Sequence, residues 1–347
     1  MAIVFDGPVA PDALTTFVRN VPIPNQFALN RILPDRYFTK NTIDVQALTR
    51  TNRTARFRAF DGRLNVSERD VTSTTTVKLP PLSSSISVGE LERLNLEFAR
   101  TGGTNVSAVV DAIYDDATNL TREIQARMEQ ARGDVLTDGK FTLAGEGGLY
   151  MEADFGVPAG NIIATPATPW STVATATIIA NMTTWRNAYI ALNGFAPGGF
   201  ITSNTVLGYM LQNAEIRSLA ASLSGTPSLV TQATVTNALD AFSLPPLLFT
   251  YDTVVDVDGV STRTIPVDRV VFVPPNINDL GYTAWGVSAT ALELVNSNAA
   301  DLSFSQAPGI VGVVEKSGPP YREWTFVDAV GMPVIANPNL LMVAVVA

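Results

Sequence analysis

Two short segments of the sequence place residues that could hold a phosphate or a metal ion. Gly133 and Gly139-Lys140 are spaced almost as in a phosphate-binding loop, but they lie one residue too far apart, and Phe141 stands where the magnesium-binding Ser or Thr belongs. Asp256-Val257-Asp258-Gly259 has the alternating carboxylates of a calcium loop, yet Ile265 occupies an outer ligand position. A helix end followed by a hairpin accounts for the first segment, and a hairpin turn accounts for the second.

Carboxylate pairs are the main remaining candidates for catalysis, because the 347-residue chain has no His and no Cys. These absences exclude a Ser-His-Asp triad, a thiolate nucleophile, a disulfide framework and the usual zinc and iron–sulfur sites. Asp115 and Asp116 are adjacent, but neighbouring residues of a helix point in different directions. We therefore predict that the protein is not an enzyme and has no catalytic residues, no cofactor-binding residues, no metal ligands and no cofactor.

Charge is unevenly distributed along the chain, whose net charge is -9. Residues 1–100 hold 13 basic and 10 acidic side chains, a balance of +3, whereas residues 101–347 hold 10 and 22, a balance of -12. A basic first part on an acidic body favours contact with copies of the same chain over contact with nucleic acid. Six arginines fall within twenty positions, and we predict that they make intersubunit contacts: Arg50, Arg53, Arg56, Arg58, Arg63 and Arg69.

The composition is that of a folded protein, with 46% hydrophobic and 16% charged residues, enough to build a sizeable core. The length suggests two domains, or one large domain with extensions. No apolar stretch approaches the roughly 20 residues of a membrane-spanning helix, so we expect no membrane association.

The first quarter of the sequence predicts extended segments without a core of their own. Prolines, Pro11 among them, recur through residues 1–50, which predicts an extended arm with a short helix at 27–32 and a strand near Thr42–Leu48. Residues 51–86 are rich in Arg, Thr and Ser and predict a long hairpin in which 56–60 pair with 74–79. Such a hairpin would be marginal in isolation and needs a surface to lie on.

The strongest single element is a helix predicted over residues 105–132. Apolar residues from Ile113 to Ala131 recur at spacings of three, four and seven, which places them on one face. Gly133 is expected to end this helix, which at 1.5 Å per residue would span roughly 40 Å. A helix of that length with one apolar stripe is expected to lie across a sheet.

The rest of the chain alternates strands with shorter helices. We predict a hairpin of 140–143 with 149–153, helices at 88–100, 172–192, 205–211 and 231–241, a strand at 200–202, a second hairpin of 247–257 with 262–273, and closing strands at 324–329 and 333–347. These elements indicate an α+β protein with an arm, a basic hairpin, a long spine-like helix and a separate body. Extended segments that cannot bury themselves are explained if neighbouring subunits receive them, which indicates a structural protein that assembles.

Four short segments resemble the major capsid proteins of tailed bacteriophages, specifically the lambda-like capsid protein E family. They are NQF to RYFT at 25–39, VLTDGKFTLAGE at 135–146, TPWS at 168–171, and REWTF at 322–326 followed by the stretch from Pro338 to Ala347. Their order along the chain covers almost its whole length.

This resemblance implies the Hong Kong-type capsid fold, an α+β fold. Its parts would be residues 1–50 as N-terminal arm, 51–86 as extended β-hairpin loop, 87–158 as peripheral domain with the long spine helix and a hairpin, 159–310 as axial domain, and 311–347 as return strands that complete the peripheral domain.

The resemblance also implies a function. A major capsid protein of this family self-assembles as hexamers and pentamers into an icosahedral phage head that encloses double-stranded DNA without sequence-specific binding. The implied partners are further copies of the chain, a separate scaffolding protein, a portal and a decoration protein. We expect location in the virion and assembly in the host cytoplasm.

Two alternatives stay open from the sequence. An encapsulin-like shell of a cellular nanocompartment shares this fold but encloses enzymes. A carboxylate-based α+β hydrolase or a carbohydrate-binding module would instead be a stable monomer.

Overall fold

The computed structural model of the protein describes residues 9–48, 72–89, 107–146, 148–220, 229–297, 303–317 and 322–347, with the single positions 60, 225 and 227. The helices are α1 (Pro11–Asn20), α2 (Ser107–Asp138), α3 (Ile178–Asn193), α4 (Asn204–Gln212), α5 (Ala214–Leu219), α6 (Gln232–Ala241) and α7 (Ala289–Asn296). The strands are β1 (Asp35–Tyr37), β2 (Thr42–Leu48), β3 (Thr72–Lys78), β4 (Pro81–Val88), β5 (Lys140–Glu146), β6 (Leu149–Asp154), β7 (Ile162–Ile163), β8 (Gly199–Thr202), β9 (Leu247–Thr250), β10 (Val254–Val257), β11 (Val260–Arg263), β12 (Arg269–Val273), β13 (Gly281–Trp285), β14 (Val311–Ser317), β15 (Arg322–Ile335) and β16 (Met342–Val345). The predicted mixture of helices and strands is confirmed.

The first of two five-stranded sheets in the described structure combines strands from both ends of the chain. The long strand β15 is its centre, with β4 and β14 antiparallel to its first part and β13 antiparallel to its second part. On the far side of β13 lies β1, which runs parallel to it and pairs Asp35 with Thr283. A strand of the predicted arm is therefore built into this sheet.

The second sheet has the order β7-β16-β12-β8-β9. Its central strand β12 is antiparallel to β16 and β8, and the run from Val270 to Val273 is fully buried, as expected for a strand covered on both faces. The last strand β16 belongs to this sheet, whereas β13 belongs to the first. The first sheet therefore draws strands from both sides of the predicted boundaries at 158/159 and 310/311, and the second sheet from both sides of 310/311. The division into named domains stays a prediction.

Helix α2 is the predicted long helix, and it packs on β15 and reaches strands of both sheets. The expectation that Gly133 ends it is wrong, because the helix continues to Asp138 and Gly139, at φ 75°, follows it. A Cβ at position 133 would lie 2.1 Å from the carbonyl oxygen of Thr264. Gly133 is therefore a point of close contact inside the helix.

The arm is less extended than predicted, since it contains α1. Pro11 occupies the first turn of this helix, where its missing N–H costs nothing, and Leu14 and Val18 bury one face against β14. The short helix predicted at 27–32 is a 3₁₀ turn at Leu29–Arg31.

One strand of the predicted loop hairpin pairs with the arm. Strand β3 pairs with β2, from Thr42 opposite Lys78 to Leu48 opposite Thr72. Residues 49–59 and 61–71 lie outside the described part of the chain, as do 90–100 of the predicted helix at 88–100. Phe60, midway between the two strands along the chain, is described and fully exposed.

The two other predicted hairpins have different outcomes. The pair β5 and β6 is confirmed, with Phe141 and Leu143 pointing to the core. The second hairpin is shorter than predicted, because only β10 and β11 pair across Asp258-Gly259, while β9 and β12 join the second sheet.

Candidate assembly surface

The two segments that suggested phosphate or metal binding form contacts that hold two hairpins together. Lys140 begins β5, and its Nζ lies 3.0 Å from Oδ2 of Asp154 and 3.2 Å from Oε1 of Glu152, both on β6. Asp256 accepts a hydrogen bond from the N–H of Gly259 at 2.7 Å, which fixes the β10–β11 turn. Within the described ranges, no group of three His, Cys, Asp or Glu residues is placed to hold a metal ion.

The remaining candidate residues from the sequence lie on α2 or outside the described part of the chain. Asp115 is exposed on α2 and Asp116 beside it is half-buried. The six arginines predicted to make intersubunit contacts, Arg50, Arg53, Arg56, Arg58, Arg63 and Arg69, all lie outside the described residues, and their role stays a prediction.

Sequence reasoning missed a buried cluster of charged side chains that joins the arm to the body. Glu129 and Arg132, one turn apart on α2, are 0% and 3% exposed. One terminal nitrogen of Arg132 lies 3.2 Å from Oε2 of Glu129, and the other lies 2.7 Å from Oδ1 of Asp35 on β1. Its Nε donates to Oγ1 of Thr283 on β13 at 2.8 Å. This buried ion cluster therefore connects arm, helix and first sheet.

The carboxylates of the buried ion cluster have further partners. Oε1 of Glu129 accepts hydrogen bonds from the N–H of Leu29 and the hydroxyl of Tyr251, both at 2.8 Å. The indole N–H of Trp285 donates to Oδ1 of Asp35 at 2.9 Å. Burial, together with the charge of Glu129, raises the pKa of Tyr251. The cluster stabilises the fold only when it is complete, because each buried charge depends on the others.

A signal for this cluster is present in the sequence. Arg132 is the last residue of the helix predicted over 105–132, but α2 continues for more than a turn beyond it. Glu129 and Arg132 lie three residues apart beside the apolar stripe that contains Ala131 and Met128. Opposite charges at that spacing next to a buried stripe are consistent with a buried ion pair.

A groove of about 1220 Å3 runs along α2 from Asn119 to Gln130. Its walls come from the β10–β11 hairpin, from residues 24–27 of the arm and from Ile86 on β4. Arg127 lies in the groove and makes a two-point ion pair with Glu146, with nitrogen–oxygen distances of 2.7 and 3.2 Å. We call this surface the spine groove.

The spine groove combines apolar and acidic lining. Its carboxylates are Glu123, Glu146, Asp256 and Asp258, and its apolar residues include Phe27, Ile86 and Val254. Arg122 and Arg127 are the basic residues of the lining. A basic segment with aromatic side chains is complementary to such a surface.

None of the described helices is long and apolar enough to cross a membrane.

Two solved structures share the fold of this chain. A protein assigned as the capsid protein of a prophage (E. coli CFT073) is 17% identical and has a TM-score of 0.62, with 98% of this chain and 99% of that chain covered. A phage-related protein from Bordetella bronchiseptica RB50 is 10% identical, with a TM-score of 0.54 and 98% of both chains covered. The fold is the Hong Kong-type capsid fold that the sequence predicted.

The chain belongs to the family of the phage major capsid protein E, because the model of that family matches residues 10–346. Among curated proteins, none matches the sequence. The predicted resemblance is confirmed, and the protein is a shell-forming capsid subunit and a component of the virion. Family membership decides for this function over an encapsulin-like shell, a hydrolase or a carbohydrate-binding module.

Proposed function

We propose that the protein assembles as hexamers and pentamers into an icosahedral phage head that encloses double-stranded DNA. The single observation that carries this proposal is the family match across residues 10–346. The subunit acts through its contacts, without enzymatic activity, and assembles in the host cytoplasm. Its partners are further copies of itself, a separate scaffolding protein, a portal and a decoration protein.

Within this shell, the named parts have distinct tasks. Residues 1–50 form the arm, 51–86 the extended loop, and 87–158 with 311–347 the peripheral domain. Residues 159–310 form the axial domain, which meets its copies at the centres of hexamers and pentamers.

The six loop arginines bind the spine groove of a neighbouring subunit. Besides Glu146, which is paired with Arg127, the groove supplies the carboxylates of Glu123, Asp256 and Asp258. The segment that joins β2 to β3 supplies Arg50, Arg53, Arg56, Arg58, Arg63 and Arg69. Phe60 lies in the same segment and is fully exposed in the single chain, so it has an aromatic ring to bury against Phe27, Ile86 or Val254. Opposite charges steer the two surfaces together, and the aromatic ring adds affinity.

The test is co-expression with the scaffolding protein, followed by sedimentation and negative-stain microscopy. Shells from the wild type support the proposed function, and a stable monomer contradicts it. The triple variant R56E, R58E and R63E is expected to lose most shells. The matched control, with the exposed residues Arg31, Lys40 and Arg322 changed to Glu, makes the same change in net charge and is expected to assemble.

A charge swap tests the groove itself. Changing Glu123 and Asp258 to Arg in the loop triple variant is expected to restore part of the shells, because opposite charges then face each other again, while Asp256 is kept because it fixes the β10–β11 turn. Normal shells from the loop triple variant alone would contradict the arginine contacts and leave the shell function standing.

A further inference from the structure

Strand β4 forms one edge of the first sheet over its full length. Its eight residues pair with β15 in one unbroken antiparallel register, from Pro81 opposite Val330 to Val88 opposite Glu323. Within the described part of the chain, no strand and no backbone group pairs with the other edge of β4. At about 3.4 Å per residue, this open edge is about 27 Å long.

The other edge strands of the two five-stranded sheets in the described structure have the usual protection against further pairing. β1, β7 and β9 are only three, two and four residues long, and β14 carries Glu315 and Lys316. Short edges and charged side chains prevent another chain from adding a strand. β4 has neither feature, because its sequence after Pro81 is LSSSISV, without a charge. It is therefore suited to pair with a strand of another molecule.

The two faces of β4 differ, which limits how a partner strand can align with it. Leu82, Ser84, Ile86 and Val88 are half-buried on the face toward α2, where Ser84 donates a hydrogen bond to Glu123. The serines between them are exposed. A shift by one residue would exchange the two faces of an added strand, so the half-buried positions must lie opposite residues of the same face.

A second copy of β4 meets this condition. In an antiparallel pair with Ser85 opposite Ser85, Ile86 lies opposite Ser84 of the second copy and Leu82 lies opposite its Val88. The strand is neutral, so two copies do not repel each other along the edge. The same residues serve both sides of the contact, as a two-fold interface requires.

A small apolar pocket favours this register. It lies between the start of β4, α2 and the β5–β6 hairpin, and its volume is about 80 Å3. Its apolar lining includes Leu82, Met128, Phe141, Leu143 and Leu149. The charged residues of its lining, Arg127 and Glu146, are paired with each other. With Ser85 opposite Ser85, Val88 of the second copy lies beside Leu82 at this pocket, and each copy offers the other an apolar space for one aliphatic side chain.

We propose that β4 pairs with β4 of a second copy around a two-fold axis at Ser85, which joins the first sheets of two subunits into one continuous sheet. Rings of five or six copies use head-to-tail contacts, so a two-fold contact joins subunits of different rings. That placement rests on the proposed shell, whereas the pair itself does not.

Single cysteines test the register, because the chain has no Cys of its own. The purified full-length variant Ser85→Cys is oxidised and analysed on a non-reducing gel. We expect it to form a covalent dimer about tenfold faster than Ser261→Cys, a control at an exposed serine on β11, because pairing holds the two thiols within disulfide distance. Ser83→Cys and Ser87→Cys are each expected to react at the control rate alone and to cross-link quickly when mixed, since position 83 lies opposite position 87.

Two results of this experiment would overturn the proposal. One is an equal rate for Ser85→Cys and Ser261→Cys, and the other is fast cross-linking of Ser83→Cys alone. Shells without the Ser85→Cys cross-link would overturn the pair and leave the proposed function standing. Cross-linked dimers without shells would do the reverse.

A charge at the pocket tests the contact of Val88. In the Ser85→Cys background, Val88→Asp is expected to slow cross-linking to the control rate, because it brings a carboxylate to an apolar pocket. Ser87→Asp, on the exposed face beside it, serves as matched control and should keep the fast rate. An unchanged rate in Val88→Asp would contradict the proposed register.

Discussion

At the scale of single residues, Arg132 contributes to stability through several parts of the chain at once. It contacts Glu129 on its own helix, Asp35 in the arm and Thr283 in the first sheet. The fold thereby places the guanidinium and Glu129 where little water reaches, with Asp35 half-buried beside them. Removing one member of such a group costs more than the group contributes as a whole, because the remaining charges stay buried without a partner.

Arg132→Met is expected to lower the free energy of unfolding by about 3–5 kcal/mol, since it leaves Glu129 and Asp35 uncompensated. The matched control is Arg127→Met on the same helix, whose ion pair with Glu146 is partly exposed and should contribute no more than about 1 kcal/mol. Urea unfolding of both variants measures the difference. Equal losses in the two variants would show that the buried ion cluster has no special role.

The raised pKa of Tyr251 predicts that the free energy of unfolding decreases at alkaline pH. Burial raises its pKa above the usual value of about 10, so the fold favours the neutral phenol. The resulting stabilisation is complete below pH 10 and is lost as the pH rises through the pKa of the folded state.

Unfolding free energies measured from pH 8 to pH 11 are expected to fall above pH 10, and less steeply for Tyr251→Phe. The exposed Tyr150→Phe serves as control and should keep the wild-type slope. An unchanged slope in Tyr251→Phe would mean that the loss arises at another group.

At the scale of elements, the position of Gly133 decides how closely α2 approaches the segment after β11. Gly133→Ala should destabilise the protein although alanine favours helices, because a Cβ would meet the backbone oxygen of Thr264 at 2.1 Å. Gly208→Ala in α4 has open space around its Cβ and should stabilise by about 0.5–1 kcal/mol. Urea unfolding measures the change in the free energy of unfolding for each variant. Changes of opposite sign confirm the contact, and stabilisation by both substitutions contradicts it.

Elements whose pattern is local were predictable from the sequence. The hairpin of β5 and β6 follows from the alternation of Phe141 and Leu143 with exposed neighbours, and α2 follows from its apolar stripe. Helix α1 was missed because Pro11 was interpreted as a breaker, although proline also begins helices. The end of α2 was misplaced because a glycine can end a helix or allow a close contact inside it.

Pairings between distant parts of the chain had no local signal. Asp35 meets Thr283 across β1 and β13, and β16 joins β12 and not its neighbours in sequence. The buried ion cluster depends on these pairings, since Asp35 and Arg132 lie far apart along the chain. The charged residues are visible in the sequence, but their contact in the folded chain could not be predicted from it.

At the scale of the whole molecule, the charge distribution predicts how the subunit treats DNA. An acidic body repels phosphates, and we expect weak binding of the purified subunit to double-stranded DNA at 150 mM salt. The R56E, R58E and R63E variant should show the same weak binding, because the acidic body already prevents tight binding of DNA. Filter binding over a salt series measures both. The slope of the logarithm of the binding constant against the logarithm of the salt concentration counts the released ions. A slope that is smaller by about three in the variant would show that the arginines bind phosphates.

The position of β15 and β16 has a consequence for the order in which the chain is made. Both sheets need strands that lie beyond residue 322, and β1 cannot pair until β13 has been synthesised. Neither sheet is therefore complete until residues 322–345 have left the ribosome. A nascent subunit keeps β1 unpaired until β13 has been synthesised, and we expect a product that stops before residue 322, which has no finished sheet, to be absent from the shell.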